Sequence, residues 1–360
     1  MKKVYNFNAG PAALPKTVLE KAQQEFLNFQ NTGMSVMELS HRSEEYESVH
    51  VKASNLLKEI LEVPDTYEVL FMQGGASLQF SAIPMNFLHS NNIANYILSG
   101  SWSEKALKEA EKIGNCHIAS SSKDKGYSSI PSAIQLSKNP AYLHLTSNNT
   151  IFGTQWREFP VLPANVPLIA DMSSDILSRK IPIEDISLIY AGAQKNLGPS
   201  GVTVVIISKQ LLEQCHKNTP TMLNYQTYAE NNSLYNTPPT FSIYMLSLVL
   251  EWVKEQGGLT YIEEKNHQKA QLLYHAIDLS EGFYTGTAKK DSRSFMNVTF
   301  TLPTKELTQL FLHQAKEKGF VGLAGHRLVG GCRASIYNAV TLESCKALVE
   351  FMDNFQSNNR

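Results

Sequence analysis

The chain has 360 residues, 42% hydrophobic and 18% charged, which is enough apolar material for a full core and excludes an intrinsically disordered chain. Thirty-two Lys and Arg against 33 Asp and Glu leave a formal net charge of -1, so no whole-molecule field recruits nucleic acid or an anionic membrane. The length predicts two domains, or one large α/β domain with an appendage.

The N-terminus, MKKVYNFNAGPAALP, has two lysines but no apolar signal core, which points to a cytoplasmic protein. YEVLFMQ (67–73) reads as a strand running into Gly74-Gly75 and the apolar-rich SLQFSAIPMNFL. NIANYILS (92–99) is a second strand. SEKALKEAEKIG (103–114) predicts an amphipathic helix with Leu107, Ala110 and Ile113 on one stripe and the pairs Glu104–Lys108 and Lys105–Glu109 on the wet side. CHIAS, AYLHLT, VPLIAD, SLIYAG and GVTVVIIS follow as short apolar runs, the pattern of a largely parallel sheet covered on both faces. Residues 216–240 are polar, rich in Tyr and Asn, and without periodicity; an irregular stretch of that length in a compact chain marks function. Residues 238–258 predict a long apolar helix with Pro at its start and Gly at its end. Its most apolar window, MLSLVLEWV, is about half the ~20 residues of a membrane span. A helix (260–279), a strand (294–302), a helix (304–318), a strand (332–337) and a helix (341–355) then suggest a smaller α+β C-terminal domain. The four cysteines show no CxxC spacing and read as reduced, mostly buried thiols; the histidines form no HExxH, and no metal site is expected.

Three segments carry chemistry. In SLIYAGAQKNLGPSGVTVVIIS (187–208), Lys195 falls at a strand–turn–strand junction, where desolvation would favour the neutral, nucleophilic amine. VPLIADMSSDI ends an apolar strand at Asp171, at the sheet edge where open α/β folds bind ligands. A strand-end lysine and a strand-end aspartate on adjacent strands suit pyridoxal 5'-phosphate, the lysine as imine donor and the aspartate as partner of the protonated ring nitrogen. FMQGGASLQF (71–80) offers the phosphate a helix start at Ala76 and Ser77, and lacks both the dinucleotide and the Walker patterns. Trp102, in LSGSWSEKA, is an aromatic placed to stack on such a ring. Each residue alone also has a plain reading: a turn lysine, a capping aspartate, a βα turn, a half-buried core tryptophan.

Taken in order, FNAGPAALP, SVMELSHRS, GGASLQF, SGSWSEKA, ADMSSDI, YAGAQKNLGPSGV, YNTPPTFSIY and GHRLVGGCRASIYNAV make the chain similar, nearly end to end, to the phosphoserine aminotransferase family of class V, fold-type-I pyridoxal-phosphate enzymes. The resemblance implies an N-terminal arm (1–15) packed on the small domain, a large cofactor-binding domain (16–258) and a small C-terminal domain (259–360). It implies Lys195 as the Schiff-base lysine, Asp171 at the ring nitrogen, Trp102 over the ring, Thr150 near the phenolic oxygen, and Ala76, Ser77 and Gln194 at the phosphate. Asn236 and Thr237 would reach that phosphate from the other subunit of a homodimer with composite sites, and His41 and Arg42 would also cross the interface. Asn8, His41, Arg42, His326, Arg327 and Arg333 would hold the substrate's anionic groups, arginine suiting both carboxylate and phosphate through its fork. Some family members have Gly-Arg where this chain has Ala76-Ser77, which here leaves more of the phosphate to backbone N–H groups and the Ser77 hydroxyl. The implied reaction moves the amino group of L-glutamate to 3-phosphohydroxypyruvate, giving O-phospho-L-serine and 2-oxoglutarate in serine biosynthesis, with 4-phosphohydroxythreonine in pyridoxine biosynthesis as a further product. The rival within class V is a cysteine desulfurase or C–S lyase, which needs a mobile nucleophilic cysteine. Outside it stands a non-catalytic regulator on the same fold, for which the chain shows neither an added nucleic-acid segment nor a lost lysine.

Overall fold

A computed structural model describes residues 3–360. The chain opens with a short strand β1 (Tyr5–Asn6) and two helices, α1 (Lys16–Glu25) and α2 (Glu44–Ile60). The Ser43 hydroxyl caps α2 by accepting the Tyr46 amide, and Glu44, Glu45 and Glu47 place negative charge at the positive end of the helix dipole. An alternating region follows: β2 (Tyr67–Met72), α3 (Gly75–Phe87), β3 (Ile93–Leu98), α4 (Ser101–Ala110), β4 (Cys116–Ser121), β5 (Pro140–Thr146), β6 (Leu168–Asp171), β7 (Leu188–Gly192) and β8 (Thr203–Ser208). The helices α5 (Lys209–Leu212), α6 (Tyr225–Glu230), α7 (Thr240–Glu255) and α8 (Gly258–Leu279) come next. The chain closes with β9 (Thr285–Gly286), β10 (Asn297–Thr301), α9 (Lys305–Glu317), β11 (Phe320–Val321), β12 (Cys332–Ser335) and α10 (Leu342–Asn359).

The main sheet has seven strands in the order β2-β8-β7-β6-β5-β3-β4. Its pairs are parallel except that β8 runs antiparallel to both neighbours. The link from β7 to β8 is too short for a crossover, so those strands pair as a hairpin. Two reversals restore direction, so β2 points the same way as β7. The starts of α3 and α4 therefore share one sheet edge with the ends of β5, β6 and β7. Both faces of the sheet are covered. Phe71, Leu145, Ala170, Ile189 and Ile206 face a core shared with α2 and α7, while Met72, Tyr96, Ile169, Tyr190 and Val205 face α3 and α4. This two-sided burial is why the strands read as unbroken apolar runs.

A separate core lies under a three-stranded antiparallel sheet in the order β12-β10-β9. β1 pairs in parallel with β11, and Phe7 is part of this core, so the N-terminal arm is stitched to the C-terminal segments.

Three expectations need correction. α4 ends at Ala110, and Ile113 lies beyond it at 43% exposure, off the buried stripe of Ala106, Leu107 and Ala110. The wet-side pairs are also different. Glu104 accepts from Lys123 and from the Tyr127 hydroxyl, each at 2.7 Å, and Glu109 pairs with Lys112 at 2.8 Å. For Glu104, tertiary neighbours outcompete the i,i+4 partner because exposed helix pairs gain only ~0.3–0.5 kcal/mol, while Glu109 takes the i,i+3 partner instead. Third, residues 216–240 are not structureless: α6 buries Tyr225 and Tyr228, and the Tyr225 hydroxyl donates to Gln79 at 2.7 Å. The sequence reading also passed over α2, the longest helix before residue 240.

Candidate active site

The ends of β5, β6 and β7 and the starts of α3 and α4 enclose a cavity of about 300 Å³, closed on one side by Ala9 and Gly10 and on another by His326 and Arg333. Asp171 is the last residue of β6, and its Oδ1 accepts from the Ser173 amide at 3.0 Å and the Ser173 hydroxyl at 2.6 Å. Burial pushes its carboxyl above the usual range, while the Ser173 hydrogen bonds, the Lys195 charge and the neighbouring Tyr190 phenol pull the other way.

Lys195 rides on the turn after β7. The Ala193 amide donates to Val202 O at 3.1 Å, the Gly198 amide donates to Ala193 O at 2.8 Å, and buried Leu197 anchors the loop. The lysine is thereby turned into the cavity, where its Nζ donates to Thr150 Oγ1 at 2.9 Å and lies 6.0 Å from the centre of the Trp102 ring. Burial draws the amine down to about 8; Asp171 and Asp175 oppose that, and Arg333 reinforces it. The arm clasps this turn: the Ala12 amide donates to Gln194 O at 2.9 Å, and Gly10 passes Lys195 with φ +148°, a conformation suited to glycine.

At the start of α3, Gly74 has φ +86° and no side chain caps the helix. A Cβ on Gly74 would stand 2.6 Å from the Leu78 side chain. Gly75, Ala76 and Ser77 line the cavity with the uncapped first turn. Trp102 is the second residue of α4, within the helix rather than before it. Lys105 stands 4.3 Å from its ring centre, and its buried Nε1 has no hydrogen-bond partner. Arg333, on β12, donates from Nη1 to Thr150 O at 3.1 Å and leaves its buried Nε without a partner. Burial and the charges of Arg333, Arg327 and Lys105 hold the His326 imidazole below its usual value.

The structure thus gathers Ala76, Ser77, Trp102, Thr150, Asp171, Gln194, Lys195, His326 and Arg333 around one cavity. It does not bring Asn8, His41, Arg42, Asn236, Thr237 or Arg327 into that lining. His41 and Thr237 meet each other instead, Nδ1 to Oγ1 at 3.3 Å, and Gln73 donates to Thr237 O at 3.1 Å. Arg42 and Asn236 are exposed, as are Asn8 and Arg327. The sequence reading missed Thr146, Asn148, Ile151, Ser173 and Ser174, which also line the cavity. Ser173 and Ser174 follow Asp171 directly and were within reach of the same argument; Asn148 shows nothing in the sequence beyond its loop position.

The cysteines are unsuited to nucleophilic work. Burial raises Cys116 and Cys215 to about 11 and Cys332 and Cys345 to about 12, so no thiolate is available near neutrality.

A doubly covered α/β sheet with a lysine and an aspartate at adjacent strand ends defines the class. Residues 4–348 match the model of the class V aminotransferase family, so the chain belongs to that family of pyridoxal-phosphate-dependent aminotransferases. Within it the chain groups with the phosphoserine aminotransferases. It is 66% identical to the phosphoserine aminotransferase of Geobacillus kaustophilus over 99% of each chain. The solved structure of the Bacillus circulans subsp. alkalophilus phosphoserine aminotransferase superposes with a TM-score of 0.98 at 57% identity, over 99% of each chain. A pyridoxal-phosphate-bound phosphoserine aminotransferase from Trichomonas vaginalis superposes at 0.92 with 38% identity, over 98% of this chain and 100% of that one.

The cavity has the features this cofactor demands. It offers an uncapped helix start for a dianion, a depressed lysine amine for an aldehyde, a buried carboxylate for a ring nitrogen, and a tryptophan with an unmet N–H beside them.

Proposed function

We propose that the chain transfers the amino group of L-glutamate to 3-phosphohydroxypyruvate, giving O-phospho-L-serine and 2-oxoglutarate, as a cytoplasmic homodimer. The observation that carries this reading is the convergence of Lys195 and Asp171 on a cavity edged by the Arg333 cation and the His326 imidazole. The names of relatives that span the chain support amino transfer involving phosphoserine.

The first-turn N–H groups of α3, the Ser77 hydroxyl and Gln194 would hold the cofactor phosphate; the Trp102 ring would cover one face of the pyridine, and Thr150 would bond near the phenolic oxygen. The cofactor supplies an aldehyde carbon that carries the amino group and a protonated ring that withdraws electrons from it. Asp171 would hold the proton on the ring nitrogen, and the Lys195 amine, turned into the cavity beside Thr150, would be the base that takes up and returns the substrate Cα proton. An amine drawn down to about 8 is suited to this, since a fully charged lysine has no lone pair to use.

Arg333 and His326 stand at the cavity wall, Arg333 to take a carboxylate through its fork; Arg327 is assigned to the substrate's second anion by resemblance. Asn8 is assigned by resemblance to the same group. On this chain His41, Arg42, Asn236 and Thr237 lie apart from the cavity, His41 and Thr237 in mutual contact. That separation favours their serving the site of the partner subunit. The same reading divides the chain into an arm (1–15), a large domain (16–258) and a small domain (259–360).

The test is a coupled assay of purified protein with L-glutamate and 3-phosphohydroxypyruvate. Formation of 2-oxoglutarate and phosphoserine in equal amounts is expected. Failure to convert this pair, with turnover of another amino donor and acceptor, would overturn the substrate assignment.

A further inference from the structure

Behind Asp171, away from the cavity, lies a buried polar chain that the mechanism above does not use. Asp171 of β6 is in register with Tyr190 of β7, and His144 of β5 is in register with Ile169 of β6. Asp171, Tyr190 and His144 therefore face one side of the sheet, among the apolar and aromatic residues packed under α3 and α4. All are buried, Asp171 to 5%, Tyr190 to 0% and His144 to 1% exposure. His144 Nε2 lies 2.9 Å from the Tyr190 hydroxyl, and the Tyr190 phenol, in register with Asp171 on the same face, acts on its carboxylate. The other ring nitrogen of His144, Nδ1, is buried without a partner.

These facts set the direction of every proton. Burial holds the His144 imidazole neutral, drawing it down to about 3, so it carries a single N–H. Its one polar neighbour is the Tyr190 oxygen; placing the proton on Nε2 satisfies both, whereas placing it on Nδ1 strands a donor. Nε2–H then donates to the Tyr190 oxygen, and the only remaining course for the phenolic proton is toward Asp171, which as a carboxylate can only accept. Asp171 thus receives the Ser173 amide and the Ser173 hydroxyl, and the phenol of its register partner Tyr190 is left to donate toward it. The other titratable groups facing this chain are Lys195 and Asp175, whose charges act on the site in opposite senses, and the neutral phenols Tyr96 and Tyr225. Arg333 acts on Lys195 and Arg179 on Asp175.

We propose that His144 and Tyr190 are positioning residues for amino transfer, a one-way hydrogen-bond relay that orients the Asp171 carboxylate and keeps it ionised beneath the cofactor ring. This rests on the placement of Asp171 at the ring nitrogen. Ser173 gives both its hydrogen bonds to one oxygen of a carboxyl that burial already pushes up, and without a further donor such an acid tends to take up a proton; a protonated Asp171 cannot hold the ring nitrogen charged.

The test reads the dissociation constant of pyridoxal phosphate from the apoprotein and the visible absorption of the holoenzyme, both against pH. Tyr190→Phe keeps the ring and removes the donor. It is expected to move the acid limb of the affinity profile up by about one pH unit, which weakens binding about tenfold on that limb, and to lower kcat with KM changed less than about twofold. His144→Phe leaves the phenol in place but unlocked, and moves the limb the same way by less. Tyr225→Phe removes a buried phenolic hydrogen bond of the same layer, to Gln79, and is expected to leave the limb where it was. Asp171→Asn is expected to abolish the limb. A limb unmoved in both Tyr190→Phe and His144→Phe, or moved equally in Tyr225→Phe, overturns the relay while leaving the function above intact. A limb that survives in Asp171→Asn removes the placement of Asp171, and the relay with it.

Discussion

Lys195 shows how far one side chain depends on its surroundings. A lysine in water stays charged to a pKa near 10.4, but in this cavity burial brings the amine to about 8. The sign follows from the charge lost: desolvation penalises the cation, so the neutral amine dominates above about 8 rather than above 10.5. Incorporation of pyridoxal phosphate into the apoprotein is therefore expected to speed up as pH rises and to level off above a midpoint near 8. A midpoint near that of free lysine in stopped-flow measurements would show that the amine is not desolvated. Lys195→Ala is expected to abolish transamination and the visible absorption while leaving the sedimentation behaviour unchanged, because the amine takes no part in packing beyond its bond to Thr150. Residual turnover above a hundredth of wild type would refute its assignment. Arg42→Ala is expected to raise the KM of both substrates and to leave the cofactor dissociation constant within about twofold. That result separates a substrate-binding arginine from a structural one, since its charge is exposed and unburied on its own chain.

At the scale of an element, the start of α3 is the clearest case of backbone serving as a binding group. Its first-turn amides stay free because the preceding residue, Gly74, takes up a left-handed conformation and offers no capping side chain. Gly74→Ala would cost about 1–2 kcal/mol for the left-handed backbone alone, and the new Cβ would press on Leu78. A lower melting temperature together with weaker cofactor binding is expected. Weaker melting with unchanged cofactor affinity would detach this helix start from the phosphate. Helix α8 holds the far side of the molecule in a different way. Lys269 is buried to 2% exposure, and its Nζ donates to Ile336 O at 2.9 Å and Tyr337 O at 2.8 Å, just past β12. The Tyr337 hydroxyl in turn donates to Ala9 O at the cavity wall. Lys269→Met keeps the aliphatic stem but strands the buried Ile336 carbonyl and leaves Tyr337 O with the Val340 amide alone, and a loss of about 1–3 kcal/mol is expected from urea unfolding. No loss would mean that water or another donor reaches those carbonyls.

For the whole molecule, the arrangement of sites is open to a single decisive measurement. In a two-fold dimer whose sites borrow Arg42 across the interface, a chain carrying Lys195→Ala is inactive alone, and one carrying Arg42→Ala turns over little at substrate concentrations well below its raised KM. Mixed and allowed to exchange, they are expected to recover about a quarter of wild-type activity, because half the dimers are mixed and each mixed dimer has one intact site. No recovery after demonstrated exchange would place Arg42 in its own chain's site. Much of the molecule was legible beforehand, for a physical reason: a sheet buried on both faces forces its strands to be apolar throughout, and glycines and a helix start must follow a strand that delivers a phosphate cradle. Asp171 and Lys195 could be found because each sits where an apolar run stops. His144 and Tyr190 could not, because inside AYLHLT and SLIYAG they look like interruptions of a strand, and only the register of β5, β6 and β7 aligns them behind Asp171. The irregular segment at 216–240 misled in the same way, since the burial of Tyr225 depends on Gln79 and Phe87, far off in the chain. Local pattern by itself determined the strands, the helix starts and the residues with reactive groups. Tertiary structure alone decided which of those groups meet, how far burial shifts their charge, and which of them turn away from the cavity on their own chain, because each of these is set by neighbours distant in sequence.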